Sequence, residues 1–193
     1  MSADAAGRRD EIEIKLPVAD LSAVRSSLSG AGAQLHAPWH DEINDLYDDA
    51  ERKLSGSGRT VRVRRASGKS ILTYKGPARF EDGARVREER EVEVSEAGEA
   101  EAILAGLGLR RSFRYEKRRE EWATEGCIVS LDVTPIGSFV EIEGDPAGIR
   151  RLVAALGLDA GEAIPYSYPE LYFRRRKEDP SLPADMVFVS RER

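Results

Sequence analysis

Polar and apolar residues alternate along much of this chain. In "EIEIK" (11–15), Glu11, Glu13 and Lys15 fall on one side of an extended backbone, and Ile12, Ile14 and the following Leu16 fall on the other, because successive side chains of a strand point to opposite faces. The same period recurs in "RTVRVRR" (59–65), "ILTYK" (71–75), "EREVEVS" (89–95), "CIVSLDV" (127–133) and "SFVEIEG" (138–144). It predicts antiparallel strands with one buried face. Between them, apolar residues at threefold and fourfold spacing predict helices over about 19–32, 97–108 and 146–157, each closing on a glycine. A strand with alternate glutamates, then a helix, then a glycine stop follows Glu11/Glu13, Glu89/Glu91/Glu93 and Glu141/Glu143, which suggests a repeated supersecondary unit. Turn residues in "LSGSG" (54–58), "ASGK" (66–69), "KGPARFEDG" (75–83) and "TPIG" (134–137) mark hairpins. The expectation is an α+β domain of roughly eight strands and three main helices over residues 10–173, with a flexible tail at 1–9 and a solvated one at 174–193.

The charged faces are segregated by sign. Glu11, Glu13, Glu89, Glu91, Glu141 and Glu143 lie on acidic strands, while Arg62, Arg64, Lys75, Lys117 and Arg119 lie on basic ones; ordinary solvent faces mix signs because neighbouring like charges repel. The opposite faces, with Ile12, Ile14, Val61, Val63, Val92, Val94, Val129, Leu131, Val140 and Ile142, need cover, and the three amphipathic helices are the available cover. Two architectures satisfy this pattern. One is an open sheet with a solvated charged face; the other is an eight-stranded antiparallel β-barrel with helices outside and a charged interior. In the barrel, clustered carboxylates call for a cation and clustered arginines and lysines for an anion. A polyphosphate bound to Mg²⁺ or Mn²⁺ answers both.

Composition narrows the setting. A chain of 193 residues suits one domain, and a formal net charge of −5 with 34% charged residues argues against a general nucleic-acid binder. The single cysteine, Cys127, forms no internal disulfide, which fits a reducing compartment. No apolar run approaches the roughly 20 residues that span a bilayer, and "MSADAAGRRD" lacks the apolar stretch of a signal peptide. The expectation is a cytoplasmic protein, monomer or homodimer, with no membrane or nucleic-acid partner. His36 and His40 are too few for a histidine metal site, "GKS" (68–70) lacks the first glycine of a phosphate loop, and Cys127 has no histidine near it in sequence.

In order along the chain, "EIEIK", "VRVRR", "LTYKGP", "VREEREVEV", "YEKRREEW", "SLDVTPIGSFVEIEG" and "YSYPEL" resemble the CYTH superfamily of triphosphate tunnel metalloenzymes, with a layout similar to its class IV adenylate cyclase and thiamine triphosphatase-like branch. The resemblance implies an eight-stranded tunnel that binds a triphosphate and a divalent metal. It implies Glu11, Glu13, Glu141, Glu143 and Asp132 as metal-binding positions, and Lys15, Arg62, Arg64, Lys75, Arg87, Lys117 and Arg119 as the phosphate cradle. Glu89 and Glu91 match the family's acidic strand, and Tyr47 and Tyr168 are candidates for the substrate mouth. In "INDLYDD" (43–49), Leu46 stands where a second aromatic is common.

The cradle is compatible with three functions. Hydrolysis of inorganic triphosphate, thiamine triphosphate or a nucleotide asks least of the protein, because water needs only a place to sit. Cyclisation of ATP to cyclic AMP and pyrophosphate also needs the ribose held in line. A module that binds polyphosphate or nucleotide without chemistry needs the cradle alone.

Overall fold

The computed structural model describes residues 10–189. In chain order the elements are β1 (Asp10–Pro17), α1 (Leu21–Gly30), β2 (Gln34–Asp48), α2 (Lys53–Gly56), β3 (Thr60–Ala66), β4 (Lys69–Lys75), β5 (Arg79–Glu81), β6 (Ala84–Val94), α3 (Ala97–Gly106), β7 (Arg110–Thr124), β8 (Cys127–Thr134), β9 (Gly137–Glu143), α4 (Pro146–Ala155) and α5 (Tyr168–Glu178). The hydrogen-bonded strand order is β1-β9-β8-β7-β2-β3-β4-β6-β5, and β1 also pairs with β6. Eight strands therefore close into an antiparallel barrel, with β5 as an extra strand on β6. The α+β barrel, rather than the open sheet, is what this alternation builds.

The chain forms two compact bodies. The first comprises residues 10–40, 78–87 and 118–165. Its apolar core joins Ile14 and Leu16 of β1, Val129 and Leu131 of β8, and Val140 and Ile142 of β9 to Val24 and Leu28 of α1 and to Ile149, Leu152 and Val153 of α4. Asp20 caps α1 by accepting from the Ser22 amide at 2.8 Å, and Asp145 caps α4 by accepting from Ala147 at 2.9 Å and Gly148 at 3.0 Å, which satisfies amides that a helix start leaves without partners. In register, Glu13 faces Glu143 and Lys15 faces Glu141 across β1 and β9. Arg119 faces Asp132 across β7 and β8.

The second body comprises residues 41–77, 88–117 and 166–189. Here α3 brings Leu104 onto Tyr47 and Val63, with Val61 and Leu72 at the edge. Val92, expected under a helix, is instead 55% exposed. The β3–β4 turn, Ser67-Gly68, has positive φ at both residues (49° and 76°), the backbone a two-residue hairpin requires. Glu89, Glu91 and Glu93 face Lys75, Thr73 and Ile71 across β4 and β6, so all three glutamates share one side.

The segment from 174 onward is not a solvated tail as far as it is described. A capping box of Ser167 and Glu170 starts α5, which continues to Glu178. Beyond it the chain returns to β7: the Met186 amide donates to the Arg114 carbonyl at 2.9 Å, the Glu116 amide donates to the Met186 carbonyl at 2.9 Å, and the Met186 side chain is fully buried. Residues 1–9 and 190–193, expected as tail, lie outside the described residues.

Candidate functional site

Strand parity carries the charged side chains to the faces the helices do not cover. In the first body, β1 presents Glu11, Glu13 and Lys15, β9 presents Glu141 and Glu143, and β6 presents Arg85 and Arg87. Lys15 Nζ lies 3.1 Å from Glu141, Arg85 Nη1 lies 3.8 Å from Glu13, and Arg87 Nε lies 3.7 Å from Glu11. Arg119 grips the fully buried Asp132 with both arms of its fork, at 2.7 and 2.6 Å, and also reaches Glu141. This bidentate geometry is the strongest form of ion pair, and it fixes the direction of the Arg119 guanidinium.

In the second body, Arg62 donates to the Tyr115 hydroxyl at 3.1 Å, Thr73 Oγ1 at 3.3 Å and Glu91 at 3.1 Å. Arg64 holds both Glu91 oxygens at 3.3 Å. Lys75 lies 2.8 Å from Glu89. Lys117 is 3.5 Å from Glu42, and its Nζ stands 5.4 Å from the centre of the Tyr168 ring. Burial disfavours ionised Glu91, yet Arg64 and Arg62 beside it, with the Thr73 hydrogen bond, hold its carboxyl below the usual range. Arg62 shows the complementary effect: burial works against its charge, but Tyr115, Glu89 and Glu91 raise its pKa above the ordinary arginine value.

Most of the positions expected from the sequence therefore fall into two charged groups, one in each body. Glu89 and Glu91 both belong to the second, while Glu93, further along β6, pairs with Lys69 at 3.1 Å at an exposed position. Tyr168 is brought beside Lys117, and Tyr115 lies 6.4 Å away ring to ring. Tyr47 is not brought there: it packs under α3 with Val63 and Leu104. Leu46, which stands where an aromatic is common, faces Arg62 across the β2–β3 ladder. Cys127 is buried in the apolar core, and burial, with Asp145 nearby, pushes its thiol pKa up, away from a reactive thiolate.

The donor set of the first body fits a hard divalent ion. Glu11, Glu13, Glu141 and Glu143 offer carboxylate oxygens, the ligands Mg²⁺ and Mn²⁺ prefer. Glu13 and Glu143 stand directly opposite each other, a like-charged pair that a cation would relieve. Among the described residues no three carboxylates already converge as a cage. Glu11, Glu13 and Glu141 instead lie against arginine and lysine.

The CYTH domain family matches residues 9–185. The chain belongs to this family. A protein of Methanocaldococcus jannaschii named "Putative adenylate cyclase" is 27% identical over 173 residues, which cover 83% of this chain and 97% of that one. The X-ray structure of a Vibrio parahaemolyticus protein carrying the same name shares the fold with a TM-score of 0.75 at 20% identity, covering 86% of this chain and 98% of the other. A Hippeastrum protein described as a "putative adenylyl cyclase" that "reveals a dominant" triphosphatase activity does so with a TM-score of 0.63 at 22% identity, covering 90% and 98%. These two structural likenesses establish fold alone. CYTH tunnel enzymes as a family bind triphosphates and generally depend on a divalent metal.

Sequence reasoning missed four members of the charged groups in this CYTH chain. Arg85 is 8% exposed and extends the row of Arg87, Glu89 and Glu91 by one more alternation, so its parity was readable. Glu42, 3% exposed, opens the same alternation in β2 that continues through Asn44 and Leu46. Thr73 and Tyr115 carry no charge, and only their hydrogen bonds to Glu91 and Arg62 reveal them.

Proposed function

We propose that this CYTH chain is a divalent-metal-dependent phosphohydrolase of a small triphosphate: inorganic triphosphate, thiamine triphosphate or a nucleoside triphosphate. The observation that carries the reading is the burial of cations. Lys15, Arg62, Lys75, Arg85, Arg87, Lys117 and Arg119 are each at most 8% exposed and each lies against a carboxylate; so many buried cations are rare in a protein, and held in this way they form a row of desolvated positive charge that suits a polyanion. Desolvated arginines take phosphate oxygens through two parallel bonds and lysine contributes a point charge.

Phosphoryl transfer needs positioning and charge neutralisation more than covalent chemistry from the protein. Lys15, Arg62, Arg64, Lys75, Arg87, Lys117 and Arg119 bind phosphate oxygens and absorb charge as it builds on the leaving group. Glu11, Glu13, Glu141 and Glu143 are the positions for Mg²⁺ or Mn²⁺, which when bound neutralises phosphate charge and makes a bound water more acidic. Asp132, which the resemblance implies as a metal position, has both oxygens taken up by Arg119 and acts instead by holding that arginine in place.

The acceptor favours water over a ribose hydroxyl. Cyclisation requires contacts that hold the nucleoside in line with the α-phosphate. Of the tyrosines considered for that role, Tyr47 packs under α3, and Tyr168 is only 4% exposed, beside Tyr115. Incubation with ATP, inorganic triphosphate and thiamine triphosphate, each with Mg²⁺ and with Mn²⁺ and read by phosphorus NMR, tests this. Inorganic triphosphate is expected to give phosphate and pyrophosphate with a higher kcat/KM than any ATP reaction. Cyclic AMP and pyrophosphate as the main products from ATP, with inorganic triphosphate acting only as an inhibitor, would make the protein a class IV adenylate cyclase. Tight binding without turnover would make it a binding module.

A further inference from the structure

Glu42 has no part in the reading above, yet it is among the most buried carboxylates of the second body. It is 3% exposed, on β2, with Lys117 Nζ of β7 at 3.5 Å and Arg64 Nη1 of β3 at 3.9 Å. The Asn44 amide nitrogen lies 3.5 Å away on the same strand. Lys117 is itself 3% exposed. Around it stand Glu42 from β2, Arg64 from β3 through the same carboxylate, the Tyr168 ring from α5 and Tyr115 two places along β7. Burial alone drives an ammonium toward its neutral form, and a neighbouring carboxylate opposes that. The Tyr168 ring favours the charge much more weakly.

The distances distinguish this carboxylate from a purely structural partner. Asp132 locks Arg119 at 2.6 and 2.7 Å. Glu42 stands further from Lys117 and Arg64, at 3.5 and 3.9 Å, close enough to act on them through charge. Such a group favours the protonated form of a neighbouring lysine.

We propose that Glu42 is a positioning residue that keeps Lys117 protonated and, with Arg64, ready for phosphate oxygens, and so sets how far up the pH scale this protein grips a triphosphate. This rests on the phosphate-binding reading above and adds a residue to it.

The test compares wild type and Glu42→Gln, which keeps shape and removes charge, by calorimetric binding of inorganic tripolyphosphate from about pH 6 to about pH 11. The titration of tripolyphosphate itself is common to both proteins. Near the lower limit the variant is expected to bind at least as tightly as wild type, because one negative charge has gone. Near the upper limit it is expected to have lost more affinity than wild type, the gap approaching about tenfold once the pH exceeds the lysine pKa in both proteins, as a one-unit fall in that pKa would give. Glu42→Asp, with the carboxylate set back by one methylene, gives an intermediate profile. A second readout needs no ligand: the Lys117 ammonium, followed by NMR, titrates lower in Glu42→Gln than in wild type. Parallel binding profiles together with an unmoved Lys117 midpoint overturn the proposal. Should wild type bind no tripolyphosphate, the phosphate reading falls and with it the role of Glu42 in binding, while the Lys117 midpoint still reports whether the two groups are coupled. Should Glu42→Gln fail to fold, the Lys117 midpoint in Glu42→Asp decides: a smaller downward shift supports the proposal and no shift overturns it.

Discussion

Replacing Arg64 with alanine isolates one arm of the proposed phosphate cradle, and its cost can be worked from the contacts the side chain makes. In the free protein Arg64 holds both oxygens of Glu91 at 3.3 Å, with the two side chains 16% and 35% exposed. A part-exposed pair of this kind contributes about 0.5 kcal/mol. On binding, the guanidinium exchanges it for a charge-assisted bond to phosphate of about 1.5–3 kcal/mol. The net loss in Arg64→Ala is then about 1–2.5 kcal/mol, or roughly 5- to 70-fold in tripolyphosphate affinity at 25 °C. The fold should survive, because Glu91 keeps Arg62 at 3.1 Å and Thr73 at 2.8 Å. Isothermal calorimetry gives the affinity and a thermal melt checks the fold. Unchanged affinity in a folded variant would refute the reasoning, since Arg64 would then serve only its carboxylate neighbours Glu91 and Glu42.

Glu13→Gln should lower metal-dependent turnover by more than about tenfold and leave the unliganded protein at least as thermostable, because it relieves the like-charged pair with Glu143; full activity in excess chelator would count against the metal positions. Glu91 ties stability to pH. Its carboxyl titrates below the ordinary value of 4.5 in the folded protein, so its contribution is present above that value and is lost as the pH falls through the lowered folded pKa; acid melts of Glu91→Gln should show a shallower loss than wild type over that window. Met186→Ala should cost about 2–5 kcal/mol, because it empties a fully buried site, and urea titration would register it; a cost under about 0.5 kcal/mol, the range of surface changes, would mean the segment beyond α5 is not docked on β7.

Strand parity was legible in the sequence because most strands keep charge on one side and aliphatic residues on the other. The β7 segment "FRYEKRREEW" was harder, since it is charged on both sides. The structure resolves it through Trp122, which enters the apolar core and carries Glu120 with it: Glu120, 1% exposed, accepts from the Trp122 indole at 2.9 Å and from Arg25 of α1 at 2.9 Å. That puts Lys117 and Arg119 on the other side, in the company of Phe113 and Tyr115, aromatics that are buried like core residues yet share a side with the charges. Asp45 misleads in the same way. It lies on the helix-covered side of β2, 1% exposed, where its burial is offset by Arg114 and Arg65, which hold its pKa below the usual carboxylate range. The run "RRRKEDPSLPAD" from Arg174 reads as solvated by charge, yet Ser167 and Glu170 carry the capping signature that starts a helix at Tyr168, and the helix runs on to Glu178. The docking of Met186 on β7 had no local signal, because it depends on an edge that another part of the chain leaves open.

The pairing of β1 has a consequence for when the chain acquires its charged side chains. Ser67-Gly68 joins β3 to β4 through a two-residue turn, so that hairpin can form within microseconds of the segment becoming free to fold. Glu11, Glu13 and Lys15 sit on a strand whose partners, β9 and β6, both lie far away in sequence, and the loop entropy of joining such distant segments is paid before their contacts are gained. The expectation is that β1 joins late, after the transition state. Substitutions there would speed unfolding and leave refolding nearly unchanged, so Glu11 and Glu13 could vary in sequence without slowing the route by which the barrel is reached.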